Sequence, residues 1–523
     1  MKKGLLLFLL LGTLAAQAQN INVFGLQSGV WDADTVFVTG DVMVRDSLSI
    51  LPGATVLFEG FYSITAENGA SLKAVGTEND SILFTVADTT GFHLYNFGRG
   101  GWNGIRLEQA GPSKFDYCRF QYGKAALDKD QDGGALRIFD SYEVEISNST
   151  LFCNFSREHG GALNAERSQV VLHDCAVTDN RTYSFVDTIY YMYGGGLRFF
   201  ECKVEIKDVD FLRNVGTQSI GGALCIDSCA ANIDRCRFEH NIGINGGGLY
   251  MIRSYETSKI SNSLFANNTS VHFAGGLAIK DSSPEISNLT VVNNHSIGVN
   301  CGGMFFYQLS SPLVRNCIVY GNTNTDQIGD PVQIWCWTYN MAAPRFLNCL
   351  IQYGLKNIVS GENVQVYENN LDTDPCFVDA ANGDFRLGGN SPCINSGYTC
   401  FDDLDALDLD LSTRVKGGII DMGAYEFSGA GIGEIAQNES FIRIIGNPIT
   451  ATSYAEIELE SQSNLKIAVY SMDGKPMINK DLGTLPAGTQ RIEIGGMFEG
   501  WAKGSYLMVV SNAERTLSAK IVL

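Results

Sequence analysis

One repeat unit, Gly221-Gly-Ala-Leu-Cys-Ile-Asp-Ser-Cys-Ala-Ala-Asn-Ile-Asp-Arg-Cys-Arg-Phe-Glu-His-Asn241, opens on a glycine pair and closes on Phe238-x-x-Asn241. The same unit recurs through the middle of the chain with a period of about 27 residues. A repeat at a fixed period indicates a solenoid, propeller or array. The glycine pair begins at Gly133, Gly160, Gly194, Gly221 and Gly246, and in weaker form at Ala274 and Cys301.

An asparagine closes each unit and gives a second series with the same period. Both series contain one step that is longer than the others, which places an insertion at residues 187–193. Insertions in repeat arrays map to loops, so we expect this one to be looped out of its coil. The closing residues are Asn154, Asn180, Asn214, Asn241, Asn268, Asn294 and Asn322.

Strand-like alternation lies inside the unit, at residues 142–146, 203–206 and 231–234. Short strands joined by tight turns, repeated at this period, predict a right-handed parallel β-helix in which equivalent residues stack about 4.7–4.9 Å apart. Asparagine tolerates left-handed turns, and stacked amides can bond along a column. A propeller blade needs about 40–45 residues, and a leucine-rich repeat needs a Leu pattern that is missing here. The asparagine and glycine columns are therefore predicted to be structural.

The regions on either side of the repeats differ from them in composition and pattern. Lys2-Lys3, an apolar run and Ala16-Gln17-Ala18 predict a secretory signal. Residues 441–523 contain equal numbers of basic and acidic residues and predict a separate β-sandwich. The predicted divisions are 1–18 signal peptide, 19–110 N-terminal cap and opening coils, 111–370 β-helix, 371–427 C-terminal cap segment, 428–440 linker and 441–523 β-sandwich.

Composition excludes some functions. A net charge of −20 disfavours nucleic acid, whose binding depends on neutralising phosphates. The leader is too short to span a bilayer, and no other apolar run approaches that length, so no transmembrane helix is predicted in the mature chain. An exported chain with 14 Cys permits disulfides. Cys202 and Cys229 are one period apart and could pair, as could Cys376 and Cys393.

A second set of cysteines shares one repeat position with Ser, Val and Leu, which predicts small inward side chains rather than ligands. Its members are Cys118, Cys175, Cys236, Cys317 and Cys349.

Three groups carry candidate chemistry. Trp335, Trp337 and Tyr339 could stack on sugar rings or form an apolar cap. The acidic run at 402–410 could gather calcium but lacks the Gly and Glu of an EF-hand loop, so a solvated loop is favoured; no other cofactor is predicted. Fragments of a polygalacturonase signature occur at 324–326 and 159–160, in reverse order and without their partner motifs.

Two terminal segments resemble known families. Residues 374–427, with Asp-Pro-Cys-Phe, Gly-Asp-Phe-Arg-Leu and Asp-Met-Gly-Ala-Tyr-Glu, resemble the segment that closes many exported bacterial β-helices. Residues 441–523, with Gly446-Asn-Pro448 and a terminal Lys520-Ile-Val-Leu523, resemble the type A C-terminal sorting domain of the type IX secretion system; the usual Pro-Asn-Pro has become Gly-Asn-Pro. That resemblance implies the secretion machinery as a partner and passage across the outer membrane of a Gram-negative cell.

The repeats resemble the Gly-Gly-Ala-Leu/Phe-x-x-Asn repeats of polymorphic outer-membrane adhesins of intracellular bacteria. The expected role is a non-catalytic, secreted or surface-bound protein that binds a glycan or a host or cell-surface ligand. The alternative is a lyase or hydrolase that acts on acidic polysaccharide, which would need carboxylates facing one cleft. No catalytic residue is singled out by the sequence.

Overall fold

The computed structural model describes residues 19–94, 98–127, 131–183, 192–298, 300–325, 330–337, 342–400, 406–415, 419–428 and most of 442–523. The predicted signal peptide at 1–18 lies outside the described residues, as do residues 429–440 of the predicted linker at 428–440, most of the insertion and the Gly-Asn-Pro motif at 446–448. The described residues contain no helix with the length and apolarity that crossing a bilayer requires.

The chain forms a right-handed parallel β-helix followed by a small β-sandwich, as the sequence predicts. One coil contains three strands, which stack on their counterparts to form faces A, B and C of one 33-stranded sheet. Every pairing in that sheet is parallel and keeps equivalent residues in register, for example Leu197 with Leu224 and Leu249.

The first two strands, Asn20–Trp31 and Thr35–Ile50, each run along all three faces. Two later strands, Gln169–Thr178 and Lys203–Leu212, run along faces B and C. The other strands of face A are Ile64–Glu67, Ile105–Glu108, Leu136–Phe139, Leu163–Glu166, Leu197–Phe200, Leu224–Asp227, Leu249–Ile252, Leu277–Lys280, Met304–Tyr307, Ile334–Cys336 and Ile358–Val359.

The other strands of face B are Ser71–Val75, Ser113–Asp116, Val144–Ser147, Ala230–Asp234, Lys259–Ser261, Glu285–Ser287, Leu313–Arg315, Arg345–Leu347 and Val366–Glu368. Those of face C are Thr55–Phe58, Ile82–Val86, Cys118–Gln121, Thr150–Phe152, Arg237–Glu239, Leu264–Ala266, Thr290–Val292, Ile318–Tyr320 and Leu350–Ile351.

A short fourth strand joins face C to the glycine pair in most coils. These strands are Lys124–Ala125, Phe155–Ser156, Arg181–Thr182, Val215–Gly216, Ile242–Asn245, Thr269–Phe273, His295–Ser296 and Thr323–Asn324. A further parallel pair consists of Met192–Tyr193, the last two residues of the insertion, and Ser219–Ile220.

The core is a continuous stack of inward apolar side chains, because successive side chains of a strand point to opposite faces. The rings of Phe211, Phe238 and Phe265 stack in three successive coils, with centroids 4.6 and 4.4 Å apart. A coil buries its apolar residues only against its neighbours, so this stack is the main source of stability.

Two regions follow the coils. Phe377–Asp379 and Asp384–Leu387 form a hairpin. The C-terminal sandwich has one sheet of Ile442–Ile445, Tyr454–Leu459 and Gly488–Glu493, and a second of Ser463–Ser471, Pro476–Leu485, Ser505–Ser511 and Thr516–Val522. Single 3-10 turns occur at Gly354–Asn357, Gly361–Asn363, Ala380–Asn382 and Gly495–Phe498.

The region 19–110, expected to hold an N-terminal cap and the opening coils, consists largely of coils where it is described. Residues 20–86 are already regular coils, and no element among the described residues covers the outer edge of Asn20–Trp31. The alternation of apolar residues in Thr35–Ile50 is sufficient for a coil without the glycine pair, since Val36, Val38 and Leu48 are fully buried.

Candidate ligand-binding face

The closing asparagines form a buried hydrogen-bonded ladder. Each Nδ2 donates to Oδ1 of the asparagine in the next coil, at 2.9–3.0 Å from Asn154 through Asn322. The ladder ends on Gln333, whose Oε1 accepts from Asn322 at 2.9 Å. The ladder is wholly internal, so these amides are structural and are not available to a ligand.

Two further ladders run from coil to coil, and in each of them a position is filled by either serine or cysteine. At the corner between faces A and B, the backbone N–H of Ser168 donates to Sγ of Cys202 (3.4 Å), and that of Cys202 to Sγ of Cys229 (3.2 Å). Each of these hydroxyls or thiols also donates to the carbonyl two residues earlier, as Cys229 does to Asp227 (3.2 Å). A thiol and a hydroxyl make the same two bonds here, which explains why Ser141 occupies the same column.

The disulfides considered from the sequence are not formed. Cys202, Cys229, Cys376 and Cys393 are all free thiols. In the stacked pair, each sulfur is already bound to its own strand and to the amide of the preceding coil. The second cysteine column is the equivalent ladder at the corner between faces B and C, where the N–H of Cys236 donates to Oγ of Ser263 (3.0 Å).

The first glycine of each pair turns the chain into face A with a positive φ, from 57° at Gly160 to 79° at Gly221. A Cβ on Gly221 would lie 2.4 Å from the carbonyl oxygen of Leu224. Gly133, Gly194 and Gly246 have the same conformation and a similar close contact. Both conformation and space therefore require glycine, and these residues position the side chains on either side of them.

Two rows of side chains lie on the outside of face A. The outer row is the first outward position of each strand, and the turn row is the residue before each glycine pair. The outer row contains Arg106, Arg137, Asn164, Arg198, Cys225, Tyr250, Ala278, Phe305 and Trp335. The turn row contains Asp132, His159, Tyr193, Ile220, Asn245, Phe273 and Asn300. Together the rows form one continuous face that is polar at its N-terminal end and aromatic at its C-terminal end.

The polar end is built around Arg198, which is 7% exposed. Its Nη1 donates to Glu166 Oε1 at 2.8 Å and to Asn164 Oδ1 at 3.1 Å, and its guanidinium lies 5.5 Å from the ring centroid of Tyr193. Beside it, the carboxylates of Asp132 and Glu158 and the imidazole of His159 lie within 4.8 Å of one another. The backbone N–H of His159 donates to Asp132 Oδ1 at 3.0 Å.

Burial shifts the pKa values of two groups at the polar end. Burial, reinforced by Glu158, raises the pKa of Asp132 to about 6. Burial, reinforced by Arg198, lowers the pKa of His159 to about 3, so its ring is neutral. Nδ1 of His159 accepts the backbone N–H of Tyr193 at 3.3 Å, which leaves the ring proton on Nε2. That nitrogen is then a donor without a free lone pair, so the trio suits hydrogen bonding better than metal binding.

The aromatic end consists of rings in mutual contact. Phe273 stacks on Phe305 with centroids 4.7 Å apart, and Phe305 lies 4.9 Å from Tyr307. Trp335 and Trp337 are stacked with centroids 6.1 Å apart, and Trp337 is 38% exposed. The set continues inward through Tyr250, whose hydroxyl is hydrogen-bonded to that of Tyr307. Tyr339 lies outside the described residues.

Charged groups border the aromatic end. The Lys280 ammonium lies 5.5 Å from the Tyr307 centroid. Arg253 and Asp227 form an ion pair at 2.6 Å. Rings with partly exposed faces, bordered by charged groups, are typical of interaction sites rather than of a sealed core.

The rest of the outer surface differs from this face. On face C the outward column changes from exposed Arg119 and Asp210 to buried Leu264, Ile318 and Leu350. The apolar part is covered by described residues of the 371–427 segment: Leu264 shares one buried apolar cluster with Phe385, Leu409 and Tyr425, and Ile318 shares another with Met422. The segment expected to cap the end therefore covers a side, and face C is closed to ligands there.

Three acidic residues of that segment, Asp408, Asp421 and Glu426, have structural roles. Asp421 accepts the N–H groups of Asn395 and Phe427, both at 2.6 Å, and Glu426 lies 3.4 Å from the fully buried Arg414. Asp408 likewise accepts N–H groups with both oxygens. Its carboxylate is therefore occupied by the protein rather than directed outward for calcium. Asp402, Asp403 and Asp405 of the acidic run, and Asp326 of the signature fragment, lie outside the described residues.

Residues 187–371 match the family model described as the right handed beta helix region. This stretch is a right-handed β-helix. The match covers about a third of the chain, and no curated protein matches it. A fold does not by itself fix an activity, so a function for this chain has to be argued from the side chains on its surface.

The sequence analysis did not single out most residues of this face as functional. Asp132 and Glu158 look like loop residues, and Tyr250, Phe305 and Tyr307 lie in short apolar runs. A signal was nevertheless present. The outward column already changes from Arg198 to Tyr250 and Phe305, and its next member, Trp335, lies 30 residues after Phe305, a step longer than the 27-residue period.

Proposed function

We propose that this chain is an exported, non-catalytic surface protein that binds glycan along the aromatic end of face A. The observation that carries the proposal is the partly exposed ring set of Phe273, Tyr307, Trp335 and Trp337. The flat, weakly polar faces of sugar rings stack on such rings, and Tyr and Trp also offer a polar group at the edge. Regular coils about 4.8 Å apart present the rings in a rigid row, which reduces the entropy lost on binding.

The charge of the chain favours a neutral glycan. At −20 the chain repels a polyuronate at long range. Close to the rings, Arg253 is already paired with Asp227 and is not free to compensate an acidic polymer. Neutral polysaccharide is therefore the proposed ligand class, and adhesion to glycan-coated surfaces is the proposed role.

A glycan array that contains neutral and acidic polysaccharides tests this proposal. Trp337→Ala should weaken binding about tenfold, which corresponds to about 1.4 kcal/mol. Tyr255→Ala is the control, since Tyr255 is 61% exposed and belongs to neither row of face A. Equal binding by wild type and Trp337→Ala, or loss with Tyr255→Ala, would refute the site.

Export by a type IX system is proposed from the resemblance of residues 441–523. The antiparallel sandwich at this place in the chain is compatible with a sorting domain. Deletion of 441–523 in the native host should leave the remaining chain in the periplasm instead of at the cell surface or in the medium. Cell fractionation measures this, and unchanged surface display would contradict the proposed sorting role.

Hydrolysis or lyase cleavage of polysaccharide is a second candidate, favoured by the Asp132–Glu158–His159 group. A carboxylic acid with pKa about 6 next to a second carboxylate offers the two groups that glycoside cleavage uses, although their oxygens lie within 4.8 Å of each other, closer than the separation of about 5–5.5 Å or more in such enzymes. Assays for new reducing ends and for unsaturated products distinguish this candidate from binding. Turnover that is lost in both Asp132→Asn and Glu158→Gln, with binding retained, would replace the non-catalytic proposal.

A further inference from the structure

We propose that the N-terminal end of the β-helix is a self-association surface, on which the first strand of one copy pairs antiparallel with the first strand of a second copy. This inference is independent of the glycan site, which lies on the side of the solenoid.

The first strand, Asn20–Trp31, is an open sheet edge. It pairs with Thr35–Ile50 on one side, in three segments that follow the three faces: 20–23 with 35–38, 25–27 with 42–44 and 29–31 with 48–50. Within the described part of the chain, no strand pairs with its other side. A full turn of backbone N–H and C=O groups is therefore presented at the end of the solenoid.

The side chains of this edge are those of an interface. Val23 and Trp31 point into the core and are buried. Phe24, Leu26 and Val30 point outward and are 67%, 52% and 60% exposed. Leu26 lies beside Met43 of the next strand, which is 47% exposed, so the apolar surface extends over two coils.

The edge also lacks the usual protection against pairing. Free edges are normally blocked by charged residues, especially Lys, or by Pro. Residues 19–31 contain no charged residue and no Pro, in a chain whose net charge is −20. The edge strand itself therefore brings no charged side chain to the contact between two copies, and the nearest carboxylates in sequence are those of Asp32 and Asp34.

The three-sided path of the edge selects a second copy as the occupant. A straight strand or the edge of a flat sheet can follow only one of the three segments, and a peptide that paired with all three would have to bend at both corners, as Thr35–Ile50 does. A second copy inverted by a two-fold axis presents a coil of the same shape that runs in the opposite direction, so strand pairing is available around the whole end. A two-fold interface uses the same surface on both copies and closes at a dimer.

Sedimentation velocity of the purified full chain tests the proposal. Wild type should sediment as a dimer that dissociates on dilution. Leu26→Lys combined with Val30→Lys should give a monomer, because each substitution places a charge on both sides of the two-fold interface. Ile297→Lys combined with Leu309→Lys is the control, since these residues are 53% and 65% exposed and lie far from the edge in sequence; it should remain dimeric.

Circular dichroism and the thermal midpoint of each variant separate dissociation from misfolding. The proposal requires that the edge variant loses the dimer while it keeps the spectrum of wild type and the midpoint that wild type shows at a dilution where it is monomeric, because association raises the midpoint at higher concentration. A monomeric wild type, a dimeric edge variant or a ladder of higher oligomers would overturn it. Higher oligomers would indicate head-to-tail stacking of the N-terminal end on the C-terminal end.

Discussion

Asn241 shows at the scale of single residues how a polar group stabilises a solenoid core. Its Nδ2 donates to Asn268 Oδ1 and to the carbonyl of Phe211, both at 2.9 Å. Its Oδ1 accepts from both nitrogens of Asn214. All four positions of the amide are used, so the side chain is fully satisfied although it is fully buried.

Asn241→Ala should lower the free energy of unfolding by about 2–4 kcal/mol, because it leaves the amide groups of Asn214 and the carbonyl of Phe211 without partners. Urea unfolding monitored by circular dichroism measures the change. Asn232→Ala is the matched control, since Asn232 is exposed on face B. A loss of equal size in both variants would contradict the ladder as a source of stability.

Asp132 gives a prediction on pH. Its folded pKa of about 6 lies above the ordinary value of 3.8, so between these values the folded chain binds more protons than the unfolded chain. The stability contributed by this group is complete below about pH 3.8 and falls as pH rises towards 6. Asp132→Asn removes the carboxylate but keeps an acceptor for the N–H of His159.

The variant should therefore gain about 1–2 kcal/mol relative to wild type between pH 4 and pH 7, after allowance for solvent screening of a half-buried group. Urea unfolding at the two pH values measures the difference. The Asp32→Asn variant, at an exposed position, is the control for the exchange of a carboxylate for an amide. If the free energies of unfolding of wild type and Asp132→Asn differed by the same amount at both pH values, the raised pKa of Asp132 would be ruled out.

At the scale of elements, the turn before face A determines where the two outer rows lie. Gly221 combines a positive φ with a close approach to Leu224, whereas Gly69 has a φ of 87° and open space around its missing Cβ. A substitution at Gly69 therefore tests the energetic cost of the left-handed conformation alone, whereas one at Gly221 adds the cost of a steric clash.

Gly69→Ala should cost about 1–2 kcal/mol from the left-handed conformation alone. Gly221→Ala should cost more, about 3 kcal/mol or above, because backbone must move to accommodate the new Cβ. Thermal and urea unfolding of the two variants provide the comparison. Equal losses of stability in the two variants would mean that the backbone around Gly221 can move to accommodate a Cβ at little cost.

On the scale of the whole molecule, stability is a sum over coils and the contacts between neighbours. Strand partners are equivalent from coil to coil, as in the register of Ala165 with Phe199 and of Phe199 with Ile226. Removal of one complete period should therefore let the flanking coils pair directly, whereas removal of part of a period shifts every later strand out of register.

Deletion of residues 194–220, which is one whole period, should give a folded chain with the wild-type β spectrum and a cooperative transition. Deletion of about half that length, from 194 to 207, should abolish the transition. Circular dichroism and protease resistance measure both outcomes. Failure of the whole-period deletion to fold, under conditions in which wild type folds, would contradict independent stacking of coils.

The sequence by itself determined the coil, because Gly221, Asn241 and the apolar columns must stack wherever the chain repeats them at a fixed period. It could also place the cysteine column of Cys236 in the interior, since Ser, Val and Leu share that position. Tertiary structure decided what lies outside the coil. Contacts between Asp132 and Glu158, or between Phe273 and Trp337, join side chains from different coils whose outward direction depends on local turns. Two further features likewise depend on which surfaces the folded coils leave free. The first is the packing of Phe385, Leu409 and Tyr425 on face C, and the second is the edge of Asn20–Trp31, with which no other described strand than Thr35–Ile50 pairs.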